Sequence, residues 1–445
     1  MAKQKTVFEC QSCGFKNSKW IGKCPNCGSW ESFVELNEEQ VKFEKQLTNY
    51  ESKAIPITDI KEDNVNRFSS NDTEFDLVLG GGIVPGSLTL IGGSPGVGKS
   101  TLLLKISGNL AKSGKKILYV SGEESSGQIK LRALRVDANH KNLYLLAEIN
   151  LEKVIFEFKN GQFDCVVIDS IQTLYSENVS SAPVSVSQVR EITFELMRLA
   201  KESLCAMFII GHITKEGSIA GPRVLEHMVD CVLYFEGDSS REIRMLRGFK
   251  NRFGSTSEIG IFEMTEAGLV SAKDISSKFF KKGISKAGSA LSVIMEGSRA
   301  LIIEVQALVS DNNYSHPKRV ATGFDLNRLN MILALLEKKL ELPFNQYDVF
   351  INISGGLKIS ETGADLAVVA AILSSFRNRS LNSESIFIGE ISLIGDIREV
   401  YNLDIRLKEA KNHGFTKAII PKKPSSNIDL KIFEVDEVSK IVEWM

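Results

Sequence analysis

Residues 87–114 read SLTLIGGSPGVGKSTLLLKISGNLAKSG. The stretch opens as an apolar strand, turns through glycines and continues with leucines at helical spacing. Within the turn, Gly93, Ser94, Pro95, Gly96, Val97, Gly98, Lys99 and Ser100 fit the pattern G-x-x-x-x-G-K-S, with Thr101 next. A strand that enters a glycine turn and leaves as a helix aims backbone N–H groups and a helix N-terminus at one point. That point suits phosphate. Lys99 is expected on the β- and γ-phosphates of ATP, and the Ser100 hydroxyl on Mg²⁺. The implied fold is an open α/β sheet, rich in parallel strands, that binds its ligand beyond the strands' C-terminal ends.

Outward from this loop, further strands end in polar residues. FDCVVIDS (163–170) is an apolar run closing on Asp169, the second expected Mg²⁺ ligand. In KKILYVSGEESSGQIKLRALR (115–135) a strand is followed at once by Glu123 and Glu124. A carboxylate there can orient and deprotonate the attacking water. An acidic helix start is the competing reading, and Glu123 is preferred as the base. His212 ends the strand CAMFIIGH, placed to sense the γ-phosphate, and the loop KEGSIAGPR after it carries Lys215 and Arg223, suited to a polyanion's backbone, with a solvated loop as the competing reading. In RGFKNRFGSTSEIGIFEM (247–264), Arg247, Lys250 and Arg252 cluster round a turn containing Gly254.

The first 35 residues are of another kind. Cys10, Cys13, Cys24 and Cys27 stand as two C-x2-C pairs, with Gly14 and Gly28 after each pair. Two such knuckles give the four-sulfur tetrahedron that Zn²⁺ prefers. Cys165, Cys205 and Cys231 lie in or beside apolar runs and read as core. Residues 36–57 are polar and mixed in charge, a linker, which leaves 58–270 for the nucleotide-binding domain. A second polar, basic linker is expected at 271–283, then an α+β domain at 284–445.

The chain has 445 residues and a formal net charge of −1, with 54 Lys and Arg against 55 Asp and Glu. No bulk polycation advertises nucleic acid, so any such surface is local. No run of eighteen apolar residues and no signal-peptide core are present, so no membrane is implied and a cytoplasmic address is expected.

Four features, namely the four-cysteine knuckle, GGSPGVGKST, GPRVLEHMVD and KNRFG at 250–254, together resemble the bacterial RadA (Sms) family of DNA recombination and repair proteins. The resemblance implies a RecA/DnaB-like ATPase core that assembles as a homo-oligomer, a hexameric ring with ATP sites between subunits. In DnaB-like helicases a Lys-x-Arg pair at the corresponding turn enters the neighbour's site. Carried over, Lys250 and Arg252 act in trans on the γ-phosphate. VSGEESSGQ aligns with the DnaB pattern whose first Glu polarises water, which supports Glu123. Single-stranded and branched DNA and RecA are the implied partners.

The C-terminal order of elements, GEISLIGDI especially, is similar to the proteolytic domain of Lon, a ribosomal-protein-S5-like fold. Gly363 of ETGAD falls where Lon's serine stands, and its lysine falls on Asp404. Without a hydroxyl and an amine there is no route to an acyl-enzyme, so an inactive scaffold is expected. The alternative to a DNA motor is a KaiC-like ATPase switch that binds partners without translocating.

Overall fold

The computed structural model describes residues 7–10, 13, 15–17, 19–30, 32–36, 56–59, 66–212, 225–237, 242–272, 276–280, 283, 286–312, 316–424 and 426–444. The chain divides into two compact units, Met1–Ala272 and Lys273–Met445.

The first unit begins with a small antiparallel sheet of β1 (Val7–Cys10), β2 (Lys16–Asn17) and β3 (Phe33–Leu36), ordered β2-β1-β3. Most of the expected 36–57 linker lies outside the described residues. Its end is a single 3-10 turn, Ile57–Asp59.

The rest is a nine-stranded sheet. Its strands are β4 (Leu88–Gly93), β5 (Ile117–Ser121), β6 (Leu143–Ala147), β7 (Cys165–Asp169), β8 (Ala206–His212), β9 (Cys231–Glu236), β10 (Ile243–Asn251), β11 (Ile259–Thr265) and β12 (Gly268–Ser271). The order is β12-β11-β10-β9-β4-β8-β7-β5-β6. The six strands from β9 to β6 pair in parallel, and β9 to β12 continue as an antiparallel meander.

Among the described residues, the helices named in this unit are α1 (Thr73–Val78), α2 (Lys99–Lys112), α3 (Ser126–Arg135), α4 (Leu151–Gly161) and α5 (Val186–Ser203). Strand alternation sends Ile117, Tyr119 and Val167 into the core under α2, with Leu102, Leu103 and Ile106. Leu118, Val120 and Ile168 face the opposite core, under α4 and α5, with Val154, Val189 and Ile192. A sheet covered on both faces needs apolar residues at successive positions, which is why β7 runs Cys165, Val166, Val167, Ile168 before its terminal Asp169.

The stretch 271–283, expected as a polar, basic linker, holds the boundary between the two units. Ser271 closes β12, and α6 (Ser276–Phe279) brings the buried Phe279 and Phe280 into the second unit. Each buried phenylalanine contributes about 2 kcal/mol, enough to dock a run that its lysines mark as polar.

The second unit has a four-stranded sheet of β13 (Ser289–Glu296), β14 (Arg299–Asp311), β15 (Arg319–Thr322) and β16 (Tyr347–Ile353), ordered β13-β14-β16-β15. Helices α7 (Leu326–Leu340) and α8 (Asp365–Phe376) accompany it. Residues 366–373 of α8 are buried on every side, so it is a core helix rather than an amphipathic one. After α8 come β17 (Ser385–Phe387), the short pair β18 (Glu390–Ile391) and β19 (Ile397–Arg398), then α9 (Leu403–Asn412). β20 (Lys417–Ile420) and β21 (Lys431–Glu434) complete a parallel sheet β17-β20-β21. No helix among the described residues is long and apolar enough to cross a membrane.

Candidate active site

The expected phosphate loop is the turn from β4 into α2. Gly93 ends the strand against β9, where a Cβ would sit 2.4 Å from the carbonyl oxygen of Phe235, so no larger residue fits. Gly98 starts α2 at φ 110°, a conformation that favours glycine. Lys99 is buried, and its Nζ donates to the carbonyls of Gly93 (2.7 Å) and Ser94 (3.1 Å). Burial pulls its pKa down to about 8, against the opposing charges of Asp169 and Glu123.

β7 and β5 bring the carboxylates to the same edge. Asp169, at the end of β7, accepts from the Tyr119 hydroxyl at 2.6 Å and from the side chain of Ser100. Burial raises its pKa, while those two hydrogen bonds hold it down. Glu123, just beyond β5, accepts from the Ser170 hydroxyl at 2.6 Å. Glu124 is engaged elsewhere, in an ion pair with Arg132 of α3. The two glutamates therefore differ in their partners: Glu123 meets Ser170, the residue after Asp169, and Glu124 braces a helix.

β8 lies between β4 and β7, and the His212 backbone pairs with Gly93. Its side chain is outside the described residues, as are Lys215 and Arg223. Ser100 and Asp169 offer a hydroxyl and a carboxylate side by side, hard oxygen donors of the type that Mg²⁺ takes.

Lys250 and Arg252 stand elsewhere. β10 runs antiparallel to β9, so Asn251 pairs with Cys231 at the start of β9, level with Thr89 near the start of β4. The P-loop is at the other end of β4. At about 3.3 Å per residue, Thr89 and Gly93 lie about 13 Å apart. The Lys250 ammonium donates to the carbonyls of Val229 (2.7 Å), Glu226 (2.8 Å) and His227 (3.3 Å). Burial and the neighbouring Arg252 lower its pKa. Arg252 rests 3.5 Å from the buried Asp230, its side chain 54% exposed. Arg247, the third cation of the cluster, pairs across strands with Glu236 at 2.8 Å.

Three site residues were missed in the sequence. Tyr119 and Ser170 hold the two carboxylates, and Arg244, almost fully buried at the start of β10, donates from Nε to the P-loop carbonyl of Val97 at 3.2 Å. Tyr119 could have been found from strand alternation, since its neighbours on the same face are core. Arg244 gave no signal, because an arginine in an edge-like strand reads as solvated.

The N-terminal cysteines converge. Their four sulfurs lie within 4.8 Å of one another, with Cys10–Cys27 at 3.6 Å and Cys13–Cys24 at 3.5 Å. A tetrahedron with Zn–S bonds of about 2.3 Å has edges of about 3.8 Å, so the donor set fits zinc.

In the second unit, the residue facing Gly363 is Arg406 rather than Asp404. A Cβ on Gly363 would sit 2.8 Å from the Arg406 guanidinium, which is buried and paired with Glu361. Asp404, two residues earlier on α9 and so on roughly the opposite face of the helix, accepts from Ser426 instead.

Fold and site define a P-loop ATPase carrying a zinc ribbon. The sequence model described as an AAA domain matches residues 56–218, the rubredoxin metal binding domain residues 8–35, and subunit ChlI of Mg-chelatase residues 327–424. The chain is 63% identical to the DNA repair protein RadA of Campylobacter jejuni, and 61% identical to that of Helicobacter pylori strain 26695, over 100% of each chain. To the DNA repair protein RadA of Bacillus subtilis it is 47% identical, over 96% of this chain and 94% of that one. The chain belongs to the RadA family of DNA repair proteins.

Proposed function

We propose that this chain is an ATP-driven DNA motor of homologous recombination and repair, working as a ring whose ATP sites are shared between neighbouring subunits. The observation that carries the shared site is the placement of Lys250 and Arg252 on the sheet edge opposite their own P-loop. A half-exposed arginine there can serve a neighbour's nucleotide and cannot serve its own.

In this reading the P-loop amides and Lys99 hold the phosphates, after Lys99 leaves the carbonyls of Gly93 and Ser94. Ser100 and Asp169 would hold Mg²⁺, which when bound screens phosphate charge and favours in-line displacement. Glu123 takes the proton of the attacking water, and Ser170 fixes its carboxylate. His212, beside Gly93, reports the γ-phosphate to the following loop, whose Lys215 and Arg223 contact single-stranded DNA. Arg252 from the neighbour meets the charge that develops in the transition state, with Lys250 moving beside it, a contribution of roughly 10³–10⁵ in rate. ATP turnover would then drive strand translocation and branch migration, with RecA as partner and a hexamer as the assembly.

The test is ATP hydrolysis with and without single-stranded DNA. Stimulation by DNA that weakens steeply with salt is expected, with Glu123→Gln reducing turnover roughly 10²–10⁴-fold while nucleotide still binds. Turnover indifferent to DNA would contradict the motor and favour a partner-binding switch.

A further inference from the structure

Arg67, upstream of the P-loop, has no part in the chemistry described so far. Its Nη1 donates to the carbonyls of Leu79 (3.1 Å) and Gly80, and its Nη2 donates to the carbonyl of Phe253. The first two acceptors end α1. The third belongs to the residue after Arg252, far along the chain. One guanidinium therefore ties the turn that carries the finger to the loop after α1.

Other contacts converge on the same turn. Asn251 Nδ2 donates to the Val78 carbonyl at 3.3 Å, and its Oδ1 accepts from the Phe253 N–H at 2.9 Å. The backbones of Gly80 and Gly254 touch: a Cβ on Gly254 would lie 2.9 Å from the Gly80 Cα. The Arg252 N–H donates to the Asp230 carbonyl at 3.1 Å. Residues 251–254 are thus held from several sides, while the Arg252 side chain stays half in solvent. That is the arrangement a presented group needs, a fixed base and a tip that rests on Asp230 at 3.5 Å yet stays half exposed. Arg67 supplies the span across the gap because its planar fork reaches two acceptor groups at once, which a lysine's single ammonium does not match.

We infer that Arg67 is a positioning residue for the finger in trans: it sets where Arg252 is presented to the neighbouring subunit's nucleotide. The inference rests on the shared-site reading above. It makes Arg67 a donor-side residue, needed by the subunit that lends its arginine and not by the subunit whose P-loop is served. A misplacement of about 1 Å at such a group can cost roughly 10²-fold in turnover.

The experiment measures ATP turnover and binding of a fluorescent ATP analogue for Arg67→Ala, alone and in mixtures. Arg67→Ala alone is expected to lose about 10- to 100-fold in kcat with analogue affinity unchanged. Mixed with Lys99→Ala, which brings an intact finger, activity should return. Mixed with Arg252→Ala, which lacks the same donor function, it should not. A defect confined to folding or to the local P-loop would lower analogue binding and would not distinguish the two mixtures in this way.

Wild-type turnover by Arg67→Ala, recovery in the mixture with Arg252→Ala, or loss of analogue binding each overturns the inference. If Arg67→Ala does not fold, Arg67→Lys goes through the same mixtures, with a partial donor-side defect expected and the same contrary outcomes. A Lys99→Ala and Arg252→Ala mixture run alongside separates the two levels. If that pair fails to recover, the shared site itself is wrong. If it recovers while Arg67→Ala departs from the pattern, only the role of Arg67 is wrong.

Discussion

Lys99 shows how much a single residue's surroundings decide. Buried and bonded only to loop carbonyls, it titrates at about 8 rather than 10.5. Between those values the unfolded chain holds more protons than the folded one, so this group's contribution to stability rises with pH from about 8 to 10.5. Nucleotide phosphates favour the charged ammonium, and the sign for binding is therefore opposite. Affinity for ATP should weaken above pH 8, by up to roughly tenfold per unit, and binding there should take up protons. Calorimetric titration in two buffers of different ionisation heat reads both, and an affinity flat from neutral to about pH 9 would contradict it. The placement of Lys99, Ser100, Asp169 and Glu123 at one sheet edge was legible in the sequence because each stands at or just past the end of a strand. Tyr119 and Ser170 were not, since their roles come from cross-strand neighbours.

At the scale of elements, β10 joins two places that chemistry keeps apart. At its start the buried Arg244 holds the carbonyl of Val97 in the P-loop, and at its end Lys250 and the adjoining Arg252 lie on the opposite edge. In the proposed shared site, a strand with one end on its own P-loop and the other offered to a neighbour would link adjacent sites. Arg244→Met removes the donor while keeping most of the packing volume, and leaves the Val97 carbonyl short of a partner. Nucleotide affinity should fall about 5- to 30-fold, the equivalent of about 1–2 kcal/mol for a buried charged hydrogen bond, as read by analogue binding. Unchanged affinity would deny Arg244 its hold on the loop. Strands and helices of this unit were readable from period and glycine position, whereas the meander's register was not. Within the linker expected at 271–283 the burial of Phe279 and Phe280 was not readable either, because composition averages two phenylalanines away in a lysine-rich run.

Over the whole molecule, each module carries its own evidence. The cysteine spacing made the zinc ribbon legible outright, and the C-terminal order of strands and helices was visible, but the partner of Gly363 was misplaced by part of a helical turn. Arg406 stands there, locked to Glu361. An arginine stays protonated and cannot act as a serine's base, so Gly363→Ser should not cleave casein; measurable cleavage would show that the domain keeps a working dyad. The central claim is that one ATP site is built from two chains. Its most direct test is turnover by Lys99→Ala mixed with Arg252→Ala in the presence of single-stranded DNA. Each variant alone should be nearly inactive, and random mixing restores about one interface in four in a ring of like contacts. Recovered, DNA-stimulated hydrolysis is the predicted result. No recovery, or an Arg252→Ala chain that hydrolyses ATP unaided, would contradict the shared site and return Lys250 and Arg252 to some other duty.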